Sequence, residues 1–226
     1  MVMNLQDIFC NKIIIDEYNK IDKNNAVPFN HGLKHVQNVV KAMEKLTDAI
    51  GITGDDREDL LIAAFLHDVG QADGRDSHGL KGAKIARSTL EGYISKNRVD
   101  KIVDGIEFHD QVEGQDDLTL FTNLLSFADK MDFTRDRLEA NWQERTPEWY
   151  KKNLGKNIYE HILNVDFEKN DNYLKVLIFT DGSLEKDDFI ERESTFMPKV
   201  IKSTQAVSDK LGLLPRILLD EKTIIL

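Results

Sequence analysis

The sequence predicts a mostly α fold, a helical bundle with a small β-hairpin in its C-terminal third. Three observations predict it. Apolar residues recur every three or four positions through the first 130 residues; a two-residue alternation replaces that period around residues 163–178; and no internal repeat, Gly/Ser tract or Pro-rich linker divides the chain. Its 226 residues compare with about 150 for an ordinary domain. With 41% hydrophobic and 31% charged residues it is long enough to bury a core, and it is read as a single domain over residues 1–226.

Leu5, Ile8, Phe9, Ile13 and Tyr18 keep roughly helical spacing up to a polar, Pro-containing break from Asp22 to Asn30. A second helix carries Leu33, Val36, Val40, Met43, Leu46 and Ile50, and Gly51 and Gly54 stop it. Asp55 and Asp56 suit the start of a third, where carboxylates meet unpaired N–H groups and the positive dipole end. That segment runs to Gly70 and has no polar face from Ala63 to Leu66, which marks a helix through the middle of the bundle. A histidine and an aspartate at its end are then unusual. Further helices are expected from Leu80 to Ile94, from Val99 to His109 and from Leu118 to Lys130.

Beyond this the period changes. Leu163, Val165 and Phe167, then Leu174, Val176 and Ile178, flank the turn-rich EKNDN and predict the hairpin. An isolated hairpin is marginal, and a last helix with Val200, Ile201, Thr204, Val207 and Leu211 offers it a surface, with Pro198 as a kink or a fresh helix start. His161 is read as a strand residue without a role, and Cys10, beside Phe9, as a small packed hydrophobe.

Thirty basic against forty acidic residues give a net charge of −10, which repels polyanions and argues against a nucleic-acid polymer or a membrane surface as partner. The densest apolar stretch, Leu61 to Leu66, falls far short of the roughly 20 residues that span a bilayer. A lone cysteine cannot form an internal disulfide, and the start MVMNLQDIFCNK lacks the cationic and apolar regions of a secretory leader, so a cytoplasmic location is expected.

Histidines occur at 31, 35, 67, 78, 109 and 161, and four of them start or end an apolar helix. Helix ends in a bundle can converge on one pocket, and imidazoles and carboxylates there are the usual ligands of first-row metals. Adjacent helical positions point about 100° apart, so His67 and Asp68 can serve different sides of one centre. Asp129 closes an apolar helix in FADKMD, where an unpaired buried carboxylate is costly and a cation offsets the cost. With His35 these residues make a sound mononuclear set. His31, four residues earlier on nearly the same face, is the alternative to His35, which the spacing to Val36 and Val40 favours.

The order of His35, then His67 and Asp68 in AAFLHDVG, then Asp129 in SFADKMD, resembles the HD-domain superfamily of metal-dependent phosphohydrolases, over roughly Leu33 to Asp132. The resemblance implies an HD-type helical bundle with its metal-binding core at about residues 31–132 and the hairpin and terminal helix at about 155–213. His78 in SHGLKGAKIA and His109 in GIEFHD resemble the additional histidines of HD proteins that hold two metals. A dinuclear centre is thereby implied, with Asp68 bridging, His35, His67 and Asp129 completing one ion's shell, and His78 with His109 the other's. Iron or manganese is favoured, with magnesium, cobalt, nickel or zinc as alternatives.

Two such ions make hydroxide available near neutral pH for attack on phosphorus, and no Ser or Cys nucleophile is required. The implied substrate is a small phosphate ester or anhydride such as a nucleotide. Asp68 counts as catalytic in this reading; Lys130, Arg135 and Arg137 are candidates, by position alone, for assisting the leaving oxygen, against the competing reading of solvated charge. The chain carries Gln71 where many family members have lysine, and it lacks a Gly-Tyr-Pro signature, which loosens any link to cyclic-dinucleotide phosphodiesterases. Two rival readings stand beside this one. One is a mononuclear nucleotidase-like enzyme whose His78 and His109 contact phosphate; the other is a noncatalytic HD sensor or partner-binding module. Trp142, Trp149 and Tyr150 suit packing first, or a lid that stacks a nucleobase, and a homodimer is compatible with a free strand edge.

Overall fold

The computed structural model describes residues 5–24, 31–111, 117–138, 158–190 and 197–224. They form two compact units, one holding the described residues up to Asp129 and the other those from Lys130 onward. The fold is mostly α, with a small sheet in the C-terminal part. Trp142, Trp149, Tyr150, Lys151 and Lys152 lie outside the described residues.

The first unit is helical throughout: α1 (Leu5–Phe9), α2 (Lys12–Asn24), α3 (Leu33–Ile50), α4 (Gly54–Leu66), a 3₁₀ turn (Val69–Asp73), α5 (His78–Leu90), α6 (Lys96–Phe108) and α7 (Leu120–Lys130), whose last residue is assigned to the second unit. The periodicity from Leu5 to Tyr18 suggested one element, and Asn11 makes it two. Its Oδ1 accepts from the N–H of Ile13 (3.0 Å) and of Ile14 (3.4 Å), the side-chain cap that opens α2. Cys10 falls in the resulting turn and is exposed, which corrects its reading as a packed hydrophobe. Gly51, at φ 80°, ends α3 as expected of a left-handed cap.

Helix α4 is buried on every side from Asp59 to Leu66. The carboxylate of Asp59 survives there because α6 brings Arg98 Nε to 2.7 Å and Lys101 Nζ to 2.6 Å. At the other end of α4, Tyr18 of α2 donates its hydroxyl to the Phe65 carbonyl, one of the last-turn acceptors that lack an intrahelical donor. Burial first, and the Asp68 charge second, hold that phenol well above its ordinary pKa.

Two glycines allow backbone to meet backbone where α4, α5 and α6 end or begin. A Cβ at Gly70 would sit 2.2 Å from the His78 carbonyl oxygen, and one at Gly79 would sit 2.5 Å from that of Glu107. The 3₁₀ turn, the start of α5 and the end of α6 are thereby pressed together.

The second unit carries a 3₁₀ turn (Arg135–Arg137), α8 (Ile158–His161), β1 (Ile162–Lys169), β2 (Tyr173–Thr180), α9 (Lys186–Ile190), α10 (Met197–Leu211), β3 (Leu214–Leu219) and β4 (Thr223–Ile224). Strands β1 and β2 form the expected antiparallel hairpin. A register shift between Ile162 and Asn164 breaks the alternation, so Leu163 is 46% exposed while Val165 and Phe167 point inward. His161 is the last residue of α8, not a strand residue.

The hairpin belongs to a four-stranded sheet in the order β1-β2-β3-β4, with β3 parallel to β2. Parallel neighbours need a crossover, and α10 supplies it, packing against β2 and β3. Pro198 is the second residue of α10, a fresh start rather than a kink. No helix among the described residues is long and apolar enough to cross a membrane.

Candidate metal centre

Five of the six histidines meet in the first unit. Their rings follow one another in a row, His31, His35, His67, His109 and His78, with successive centroids 5.5, 5.3, 5.0 and 5.1 Å apart and near-perpendicular planes. His35 projects from the first turn of α3, where it is 1% exposed; His67 and Asp68 follow the end of α4; His78 opens α5 and His109 closes α6. The second half of α4, apolar from Leu60 to Leu66 and buried on every side, leaves no solvated face on which His67 could escape, so the local sequence itself drives the pair into the interior.

Asp68 divides the row. Its Oδ2 lies 3.6 Å from His35 Nε2 and 3.5 Å from His67 Nε2, while its Oδ1 lies 3.5 Å from His78 Nε2 and 3.6 Å from His109 Nε2. Asp129 joins the first side, with Oδ1 3.2 Å from His35 Nε2 and 3.7 Å from His67 Nε2.

The tautomers follow from the backbone. His67 Nδ1 lies 2.9 Å from the Ala64 carbonyl, His78 Nδ1 2.9 Å from that of Arg75 and His109 Nδ1 2.7 Å from that of Ile106. A carbonyl only accepts, so each Nδ1 carries the proton and, in the neutral ring, each Nε2 turns a lone pair inward. His78 Nε2 and His109 Nε2 then face each other at 3.3 Å with the Asp68 carboxylate beside them. Acceptors facing acceptors in a buried space repel unless a cation sits among them. Donors about 2.0–2.2 Å from one ion are separated from each other by about 3.0–3.5 Å, which is close to the spacing seen here.

The electrostatics agree. Burial disfavours the charged imidazole of His67, yet the carboxylates of Asp68 and Asp129 overcome it and push its pKa up to about 9. Asp68, despite burial, is held well below the usual carboxylate range, first by His67 and then by the other imidazoles. Burial pushes His78 down, against the pull of Asp68. Among the described residues, three donor groups are compact enough to hold a metal ion: His31, His35 and Asp68; His35, His67 and Asp129; and His67, Asp68 and His109.

Residues 32–134, somewhat under half of the chain, match the HD domain family, and the match spans His35, His67, Asp68, His78, His109 and Asp129. Residues 32–134 are an HD domain. Proteins of this family are mostly metal-dependent phosphohydrolases, and the buried imidazoles and carboxylates of this HD domain suit a divalent metal. No curated protein sequence matches the chain.

The remaining expected residues fall in the second unit. Lys130 is buried at the end of α7. Arg135 is half-exposed and lies 3.9 Å from Asp181, and Arg137 donates through Nη1 to the Asp132 carbonyl at 2.8 Å. The sequence reading chose His35 over His31, and the structure turns both toward Asp68. The four-residue spacing of the two histidines is the sequence signal for this pairing.

Proposed function

We propose that the chain is a metal-dependent phosphohydrolase with two ions, cleaving a small phosphate ester or anhydride, with a nucleotide as the expected class, by hydroxide attack on phosphorus. The division of Asp68 carries the reading: one carboxylate presents Oδ2 to His35 and His67 and Oδ1 to His78 and His109. A single ion would leave one of these nitrogen pairs facing a carboxylate with nothing between them. When bound, such a pair of ions supplies a hydroxide nucleophile at neutral pH and neutralises charge on the phosphoryl oxygens.

The chain's own residues do the rest. His35, His67 and Asp129 would hold one ion and His78 with His109 the other, Asp68 serving both. The carbonyls of Ala64, Arg75 and Ile106 fix the rings of His67, His78 and His109, so that Nε2 is presented without a reorganisation cost during turnover. Burial of His35, His67 and Asp68 excludes bulk water and strengthens each electrostatic interaction inside. Lys130 and Arg135 remain proposals for the leaving group.

The test is metal content after reconstitution of untagged protein with manganese or iron, for wild type and for His78→Ala and His109→Ala, with a screen of phosphomonoesters, diesters, dinucleotides and nucleoside triphosphates. Two equivalents falling to one in each variant, with metal-dependent phosphate release by wild type, is the expected result. One equivalent unmoved by either change, with weakened substrate binding, favours the mononuclear rival. Metal binding without turnover on the whole panel favours a sensor.

A further inference from the structure

His31 stands one residue ahead of the family match and one helical turn ahead of His35. Its Nδ1 lies 3.6 Å from Asp68 Oδ2, the same distance as His35 Nε2 and within 0.1 Å of the 3.5 Å of His67 Nε2. With His35 and Asp68 it forms one of the compact donor groups. The side chain is 12% exposed where that of His35 is fully buried, so it sits at one end of the imidazole row, as His78, 10% exposed, does at the other.

The backbone around it is fixed. Gly32, at φ −90° and ψ −147°, caps α3 without a side chain of its own, and Asp22 of α2 does the work by accepting from the Leu33 N–H at 3.4 Å. Gly32 is pressed so closely on Asp22 that a Cβ would lie 2.0 Å from its carboxylate. His31 is thus tethered to α2 and presented by a turn, and it approaches Asp68 through Nδ1, the nitrogen nearer the backbone, where the other rings use Nε2.

We propose that His31 Nδ1 is a fifth protein donor to the ion of His35, His67, Asp68 and Asp129. The two ions are then unequal. The first would have five protein donors and would therefore be the more tightly held. The second, with His78, His109 and one oxygen of Asp68, has three and keeps the positions that a phosphate oxygen can enter. The inference rests on the two-ion reading for the inequality, but the role of His31 needs the first ion alone.

Cobalt(II) is the probe, because its visible absorption rises as coordination falls from six to five or four. Metal-free wild type, His31→Ala and His31→Gln are titrated by calorimetry and by absorption, with circular dichroism and Tm of the metal-free proteins as the check on folding. The tighter of the two binding steps weakens by about tenfold or more in both variants while the weaker step stays in place, the absorption of the first equivalent intensifies, and added imidazole restores it in His31→Ala. Unchanged affinities and spectra in two folded variants overturn the proposal and leave the two-ion reading intact. A wild type that binds one cobalt, weakened in the variants, upholds His31 and removes the second ion; a wild type that binds none overturns both.

Discussion

Two clusters in this molecule contain the same residue types and do opposite things with them. In the sheet-bearing unit, Asp181 receives the Ser183 hydroxyl at 2.6 Å and faces His161 Nδ1 at 3.0 Å, and Ser183 Oγ lies 2.7 Å from the same nitrogen. The Ser183 O–H serves Asp181, one Nδ1–H of His161 is shared between Asp181 and Ser183, and all three residues are at least partly exposed. In the helical unit the imidazole–carboxylate distances run from 3.2 to 3.7 Å, the groups are buried, and His67 Nε2 has no hydrogen-bond partner among the described residues. The first cluster satisfies itself; the second is spaced for something to enter it. Histidine next to aspartate is therefore uninformative until burial and separation are known.

Removing the shared carboxylate breaks that contrast most severely. Asp68→Asn keeps the shape but removes the negative charge and puts an NH2 donor in place of one oxygen at the point where the two nitrogen pairs divide. Loss of both metal equivalents by elemental analysis is expected, with hydrolysis down on the order of 10³-fold or more. Retention of one full equivalent would mean that the division of Asp68 is not what holds a pair.

Next in size is the effect of taking the ions away. At free metal about 100-fold above Kd, each bound ion stabilises by about 2.7 kcal/mol, so a chelator should lower Tm by about 5–10 °C per ion in a chain of this length. Asp68→Asn should show no such response. A chelator-insensitive wild type that still contains metal would place the ions outside the folded cluster.

A smaller and more selective break is available at Gly79. Its added Cβ would lie 2.5 Å from the Glu107 carbonyl oxygen and 3.2 Å from that of Ile106, the acceptor that orients His109. Gly79→Ala must shift the end of α6, at about 1–3 kcal/mol in stability. On the two-ion proposal, metal binding at His78 and His109 should weaken by about tenfold, with the other step unaffected. Equal weakening of both steps in a calorimetric titration would show that the two halves are not mechanically separate.

Much of this was legible in the chain itself, for identifiable reasons. Helices α3 to α7 announced themselves because one face of each is apolar at a constant period, and α4 because its second half has no polar face. His67, Asp68 and Asp129 stood out as polar groups at the ends of apolar runs. What escaped depends on partners distant in sequence. Strand β3 is six residues, two of them Pro215 and Arg216, and becomes a strand by pairing with β2 across the α10 crossover. The outward turn of Leu163 comes from a register shift that alternation cannot reveal. His31 was set aside because helical spacing made it a competitor of His35, whereas a turn at Gly32 and the Asp22 contact let both reach one carboxylate.

The least disruptive change tests the self-satisfied cluster. Hydrogen bonds from Ser183 and then His161 hold the Asp181 carboxyl below the usual aspartate range. A depressed folded pKa contributes stability above the unfolded value of about 4, and that contribution is lost as pH falls toward the folded one. Asp181→Asn should therefore lower Tm slightly at neutral pH, by under about 2 °C because the group is solvent-screened, and the gap from wild type should close as pH falls below about 4. Metal content should not move. A fall in bound metal in Asp181→Asn would erase the distinction between the clusters, because it would make an exposed, hydrogen-bonded aspartate just past β2 matter to the buried centre.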